Sequence, residues 1–156
     1  MKWRGLVLDA NLLVLLIVGL TEQRLIGRHK RLDSFSPEDF TLLTHVLSLA
    51  ERVIVTPHTL TEASNLVAYI AEPARTRIRE AFRVFVSRTE EVTVESKMAV
   101  GAPEFVRLGL ADAALLEITR GTHTLLTTDH DLYQSALKRG ASAVNFNHLR
   151  EQAGTV

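Results

Sequence analysis

The stretch LVLDANLLVLLIVG, residues 6–19, joins a short apolar run to a longer one through an aspartate and an asparagine. The first run, Leu6-Val7-Leu8, has the length and composition of a buried strand. The second run begins after Asn11 and predicts a buried helix that ends near Gly19. A strand followed at once by a helix is the unit from which folds with a parallel sheet are built. Asp9 is therefore expected where the first strand ends.

The same alternation of strands and helices continues along the chain. Further strands are predicted at residues 53–55, 92–94, 124–127 and 143–145, and helices at 36–51, 59–70, 75–86, 103–108, 111–120 and 131–139. Residues 21–35 are polar and are interpreted as a loop or an irregular helix. We therefore expect an α/β fold with three layers, α/β/α, around a central, mostly parallel sheet of four to five strands.

Length and composition restrict the class of protein. A chain of 156 residues suits a single domain spanning residues 1–156, and its contents of 46% apolar and 23% charged residues are ordinary for a globular protein. The absence of cysteine excludes disulfides, thiolate zinc sites and a cysteine nucleophile. The apolar run 12–20 is shorter than the roughly 20 residues of a membrane span. We expect a cytoplasmic protein with no membrane association.

Four acidic residues follow or precede the predicted strands in a regular way. Asp9 and Asp129 follow strands, whereas Glu62 and Asp112 lie near the starts of helices. Because the carboxyl ends of parallel strands meet at one edge, the four carboxylates are expected to converge there. Their mutual repulsion would be relieved by a divalent cation, and Mg²⁺ or Mn²⁺ prefers such oxygen ligands.

Each acid also has a purely structural interpretation. Asp9 could be a polar strand end, Glu62 the partner of Thr59 in a capping box, and Asp112 a stabiliser of a helix N-terminus. Asp129 could be a turn residue. Taken singly, each acid favours the structural interpretation, and only their joint placement favours a site.

Four segments resemble, in order, the four motifs of PIN-domain ribonucleases: residues 6–13, 56–66, 109–115 and 125–132. The resemblance implies that one or two Mg²⁺ or Mn²⁺ ions bind to four catalytic carboxylates, those of Asp9, Glu62, Asp112 and Asp129. It further implies that Asn11 and Thr127 orient these acids or a metal-bound water. Asp131 is either an extra ligand or a helix cap, and the cap is slightly favoured.

The family hydrolyses RNA phosphodiester bonds with a metal-activated water, so the resemblance implies an endoribonuclease. Many small members, including the VapC toxins, pair with an antitoxin protein and form homodimers. Relative to such toxins, residues 21–35 look like an insertion. The resemblance thus implies RNA, an antitoxin and a second copy of the chain as partners.

Formal charge gives no overall bias toward nucleic acid, because 18 basic residues balance 18 acidic ones. One segment is nevertheless locally basic and is a candidate RNA-binding surface, with a solvated loop as the equal alternative: Arg24, Arg28, Lys30 and Arg31.

Two other functions compete with the nuclease. One is a non-catalytic PIN-like module that binds RNA or protein. The other is a phosphotransfer enzyme or receiver-like domain. The phosphotransfer enzyme is disfavoured because Asn11 stands where the haloacid-dehalogenase pattern has a second aspartate, and the receiver-like domain because no lysine is well placed after a late strand.

Overall fold

The computed structural model describes residues 2–156, so Met1 of the expected domain lies outside the described residues. These residues form an all-parallel sheet with the strand order β3-β2-β1-β4-β5. The strands are β1 (Trp3–Leu8), β2 (Ala50–Val55), β3 (Glu90–Glu91), β4 (His123–Thr127) and β5 (Ser142–Asn145). The expected α/β fold with a central parallel sheet is confirmed.

Helices connect the strands throughout. They are α1 (Ala10–Thr21), α2 (Pro37–Ser48), α3 (Pro57–Leu66), α4 (Ala74–Arg88), α5 (Ser96–Val100), α6 (Phe105–Leu108), α7 (Leu110–Ile118), α8 (His130–Lys138) and α9 (Phe146–Ala153). Two short 3₁₀ helices, Gln23–Arg28 and Lys30–Leu32, occupy the segment interpreted as a loop or irregular helix. No helix described within residues 2–156 has both the length and the apolar character needed to span a membrane.

Strand β1 is buried on both faces, and its alternating side chains divide the core in two. Leu6 and Leu8 belong to a cluster with residues of α1, α2, α3 and α4. Val7 points to the opposite face and packs with Leu115 of α7 and Leu132 of α8. Helices therefore cover both faces of the sheet, and the expected three layers are confirmed.

The direction of the chain reverses about β1, and this reversal creates a crevice. From β1 the chain moves outward to β2 and β3, and it then returns past β1 to form β4 and β5. The connections that leave β1 and β4 consequently run in opposite directions. Ligands of open parallel sheets bind at such a switch point, beyond the carboxyl ends of the strands. Leu8 pairs with Leu126, so the residues after them lie side by side.

The third strand lies earlier in the chain than expected. The predicted strand at 92–94 is wrong, because β3 is only Glu90–Glu91, paired with Ile54 and Val55. Val94 is instead buried in a small cluster with Ala99 of α5 and Ala113 of α7. A short apolar run signals burial without distinguishing a strand from a buried loop.

Two helix starts also differ from the sequence predictions. The cap of α3 is Thr56, whose side chain accepts a hydrogen bond from the Thr59 amide, so Glu62 lies inside the helix and not at its start. The cap of α8 is Asp129 and not Asp131. Helix α3 begins directly after β2 with Thr56 as its cap, and α8 begins after one intervening residue, Thr128, with Asp129 as its cap.

Gly19 has a packing role that its position near a helix end did not suggest. It lies inside α1, and a Cβ atom on it would stand 2.1 Å from Cδ1 of Phe40 in α2. The absence of a side chain at residue 19 therefore allows α2 to approach α1 closely.

Candidate acidic site at the carboxyl edge of the sheet

Asp9 is held rigidly between β1 and α1. As the cap of α1, its Oδ1 accepts a hydrogen bond from the Leu12 amide at 3.0 Å. Its Oδ2 accepts hydrogen bonds from the Thr127 hydroxyl and from the Thr128 amide, the latter at 3.2 Å. Asp9 is only 5% exposed. Three donors, one from the first turn of α1 and two from the end of β4, thus fix the orientation of a buried carboxylate.

The ionisation of Asp9 is under opposing influences. Burial raises the pKa of its carboxyl above the ordinary value, and the nearby charge of Asp129 acts in the same direction. The hydrogen bonds from Thr127, Leu12 and Thr128 lower the pKa and offset part of this effect. A nearby cation would stabilise the charged form further.

Thr127 connects Asp9 to the other strand-end aspartate. While its hydroxyl donates to Asp9, its Oγ1 accepts a hydrogen bond from the Asp129 amide at 2.9 Å. Asp129 is exposed, and its Oδ1 accepts from the Leu132 amide at 3.0 Å as the cap of α8. Within the described residues, Oδ2 of Asp129 accepts no hydrogen bond and remains available to a ligand.

The other two predicted acids come from helices on opposite sides of the crevice. Glu62 lies in α3 and is exposed, and Asp112 lies in the first turn of α7 and is half-buried. Together with Asp9 and Asp129 they line a cavity of about 70 Å³. The structure therefore brings the four sequence-predicted acids to one place.

The convergence of the four acids affects the pKa of Asp112. Burial is the largest cause, and the charges of Asp129, Asp9 and Glu62 add to it, so that the pKa of Asp112 rises to about 7. A carboxyl with such a pKa is about half protonated at neutral pH. The cavity is thus a strongly negative environment that would attract a cation.

The donor set fits a hard divalent cation in its chemistry. Four residues with carboxylate side chains line the cavity, and Mg²⁺ and Mn²⁺ prefer oxygen ligands. As the side chains stand, no three histidine, aspartate or glutamate residues within positions 2–156 are grouped to hold a single ion. Within the described residues, neither the Glu62 nor the Asp112 carboxylate accepts a hydrogen bond, so both are available to a ligand.

The supporting residues separate into two groups. Asn11 lines the acidic cavity, and Thr127 binds Asp9 directly, so both lie at the site as expected. Asp131 is exposed in the first turn of α8 and is not among the lining residues. The helix-cap interpretation of Asp131 is wrong, because Asp129 caps that helix.

Sequence reasoning missed two contributors. The Thr128 amide donates to Asp9, and Nδ2 of Asn147 in α9 donates to the Thr128 carbonyl at 3.2 Å. Asn147 thereby supports the loop that carries Asp129. Nothing in the sequence near Asn147 signals this contact, because it depends on where α9 packs.

The four residues of the basic segment lie in different surroundings. Arg24 pairs with Glu22, which pairs in turn with Arg77 of α4 at 3.0 Å. Arg28 is exposed at the end of the first 3₁₀ helix. Lys30 and Arg31 instead line a second cavity, which shares Asn11 with the acidic one. Only this part of the segment is therefore seen to adjoin the candidate site.

No protein-family profile and no curated protein matches the chain. Among solved structures, the chain is similar to a domain of a functionally unknown protein from Methanocaldococcus jannaschii, at 15% sequence identity and a TM-score of 0.49. That similarity covers 91% of this chain and 90% of the other, and it carries no argument about function.

Proposed function

We propose that this protein is a metal-dependent endoribonuclease in which Asp9, Glu62, Asp112 and Asp129 bind the metal and form the catalytic site. One observation carries the proposal: the four acids in the PIN-like segments line a single cavity at the switch point of the sheet. The raised pKa of Asp112 supports it, because three of the acids contribute to the shift of the fourth.

The four carboxylates would hold one or two Mg²⁺ or Mn²⁺ ions. When bound, such ions would lower the pKa of a water and shield the charge of the phosphodiester. Asp9 contributes a carboxylate already oriented by Leu12, Thr127 and Thr128, so little of its freedom remains to be lost on binding. Asp112 would release its proton as the cation replaces it, because ligation requires the charged form.

The size of the cavity limits what can enter it. A volume of about 70 Å³ is far below the roughly 300 Å³ at which small-molecule pockets begin. An ion and a phosphate oxygen fit such a space, and a nucleoside does not. The RNA strand would therefore lie across the mouth of the cavity, with bases and sugars bound by the surrounding surface.

The alternative is a non-catalytic PIN-like module that binds RNA or protein. A module of this kind would retain the acidic pocket for binding and would not hydrolyse RNA. The two functions differ in whether a metal ion makes the protein cleave.

The test is cleavage of a mixed pool of single-stranded RNAs by purified protein with Mn²⁺, with Mg²⁺ and with EDTA. Asp112→Asn should abolish cleavage, and Glu51→Gln should not. Glu51 is an exposed acid at the amino end of β2, whereas the candidate site lies beyond the carboxyl ends of the strands. Glu51→Gln is therefore a control for replacing a carboxylate by an amide. Cleavage that persists in EDTA or in Asp112→Asn contradicts the proposal. A folded protein that binds RNA and never cleaves it supports the module.

The role of a toxin with an antitoxin partner, and a homodimer, follow only from the resemblance. Both stay predictions. Mass measurement in solution tests the homodimer, and co-expression with the product of the neighbouring reading frame tests the antitoxin.

A further inference from the structure

A second cavity adjoins the acidic one. It has a volume of about 510 Å³, and its lining includes Asn11, Lys30, Arg31, Thr128 and Asn147. Asn11 lines both cavities, and Thr128 directly precedes Asp129. This cavity is large enough for a nucleotide, unlike the acidic one.

A third cavity continues the surface away from the acids. It has a volume of about 390 Å³ and is lined by Lys30, Tyr69 and Arg75 together with Ala68, Ile70 and Ala71. Lys30 lines this cavity as well as the second, so the three cavities follow one another. Going away from the acidic site, the surface passes Asn11, then Lys30 and Arg31, and finally Tyr69.

Hydrogen bonds hold the two segments of this surface together. Nε2 of the buried His29 donates to the Val67 carbonyl at 3.1 Å, while its Nδ1 accepts from the Arg31 amide at 3.2 Å. The Lys30 amide donates to the Tyr69 carbonyl at 3.4 Å. The backbone segments that carry Lys30, Arg31 and Tyr69 are therefore held side by side, although they come from distant parts of the chain.

The chemistry of this group is that of a single-stranded nucleic acid site. Lys30 and Arg31 are exposed cations, and the Arg31 guanidinium lies 5.6 Å from the centre of the Tyr69 ring. Tyr69 is 51% exposed, which leaves ring surface for an unpaired base. Nonspecific single-strand sites combine cations that follow the backbone with aromatic rings on which bases stack.

Other charges in the second cavity do not cancel this effect. Arg150 is buried and forms an ion pair with Asp39 at 2.9 Å, so it is largely neutralised. Asp33 contributes one negative charge to the lining. Lys30 and Arg31 outnumber it, and Arg75 adds a further cation in the third cavity.

We propose that the second and third cavities form a track for single-stranded RNA, which leads from the acidic site past Lys30 and Arg31 to Tyr69. Lys30 and Arg31 bind successive phosphates, and a base stacks on Tyr69. The proposal rests on the proposed ribonuclease function for the identity of the strand. It also assigns a direction to the bound strand. The scissile phosphate lies at the acidic site, and the stacked base lies on the Tyr69 ring at the far end.

The test is fluorescence polarisation of a labelled, unstructured single-stranded RNA of about ten nucleotides, a length within the range of known single-strand sites. Binding is measured in EDTA, so that it is independent of cleavage, over a series of salt concentrations. The variants are Tyr69→Ala, Tyr69→Phe and the double variant Lys30→Ala/Arg31→Ala. The control is Arg24→Ala/Arg28→Ala, which removes the same charge from the same segment at residues that line neither cavity.

Base stacking on Tyr69 and phosphate binding by Lys30 and Arg31 should affect the measured affinity in different ways. Tyr69→Ala should weaken binding at least about fivefold through lost stacking, with the salt dependence unchanged, and Tyr69→Phe should bind as the wild type does. Lys30→Ala/Arg31→Ala should reduce the slope of log affinity against log salt by about 1.4, since each phosphate contact of a single strand contributes about 0.7. The control variant should change this slope by much less. Annealing the RNA to its complement should abolish the effect of Tyr69→Ala.

The result that overturns the track is a wild-type protein that does not bind the RNA at low salt, or track variants that bind like the control. If metal-dependent cleavage is nevertheless seen, the nuclease stands and the track fails. If the track variants lose binding and no metal supports cleavage, the track stands and the nuclease fails.

Discussion

The hydroxyl of Thr127 donates a hydrogen bond to Oδ2 of Asp9, and this contact joins the end of β4 to the end of β1. The same Oγ1 accepts from the Asp129 amide at 2.9 Å. One buried side chain thus sets the positions of the two aspartates that flank the crevice. The contact explains why a threonine two residues before Asp129 matters to an acid that lies far away in the sequence.

Thr127→Val should separate the effect of the hydroxyl from that of side-chain shape. Valine keeps the volume but leaves the Asp129 amide and one oxygen of Asp9 without this partner. We expect metal affinity or cleavage to fall by about 10- to 100-fold, as is typical when a residue behind a metal ligand is replaced. Thr127→Ser keeps the hydroxyl and should retain most of the activity. Full activity in Thr127→Val, or an equal loss in Thr127→Ser, would contradict the role assigned to the hydroxyl.

Asp112→Asn should stabilise the metal-free protein at alkaline pH. The pKa of Asp112 in the folded state, about 7, is above the value of about 3.9 expected in the unfolded chain. Its contribution to stability is therefore fully present below about pH 3.9, and it is lost as the pH rises through about 7. The neutral amide has no such dependence. The advantage of Asp112→Asn over the wild type should consequently grow between pH 5 and pH 8.

Thermal unfolding in EDTA at the two pH values measures this advantage. A gain of about 1 kcal/mol corresponds to a rise in Tm of about 2–4 °C for a chain of this length. Saturating Mg²⁺ should reduce the difference or reverse it, because the ion stabilises only the protein that binds it. A difference in Tm that is the same at pH 5 and pH 8 would show that Asp112 does not titrate in this range.

Glu62→Gln should affect the candidate site and leave the fold intact. Glu62 is exposed in the middle of α3, and no hydrogen bond within the described residues depends on its carboxylate. We expect cleavage to be lost, Mn²⁺ affinity measured by calorimetry to fall at least about tenfold, and Tm to change by less than about 2 °C. Glu51→Gln is the matched control and should change none of the three. Retention of Mn²⁺ affinity in Glu62→Gln would remove this residue from the ligand set.

Asp9→Asn should abolish cleavage but should also destabilise the protein. From the sequence alone, an amide of nearly equal size is expected to leave folding intact. In the structure Asp9 accepts hydrogen bonds on both oxygens, and an amide nitrogen in place of Oδ2 would face the Thr128 N–H. The unpaired donor should cost about 1–3 kcal/mol, seen as a lower free energy of unfolding in urea. An unchanged stability would mean that the side chain or the loop after β4 rearranges to avoid the conflict.

The sequence by itself determined the elements and the chemistry of the acids. The strand Leu6-Val7-Leu8 followed by a helix predicted a parallel sheet, because a fully apolar strand needs cover on both faces. Asp9 and Asp129 were expected at the carboxyl edge of the sheet, since Asp9 directly follows one apolar strand and Asp129 closely follows another. Local signals of this kind involve residues close together in the chain, and they were sufficient for the class of fold and for the candidate acids.

Tertiary structure decided what depends on packing between distant segments. The order of strands, with β1 between β2 and β4, is what brings Thr127 to Asp9 and places Glu62 and Asp112 on opposite walls of one cavity. The same is true of Tyr69, which lies beside Arg31 because His29 binds the Val67 carbonyl and the Lys30 amide binds the Tyr69 carbonyl. Such contacts carry no local sequence signal, because hydrogen bonds and charge interactions act through space and not along the chain.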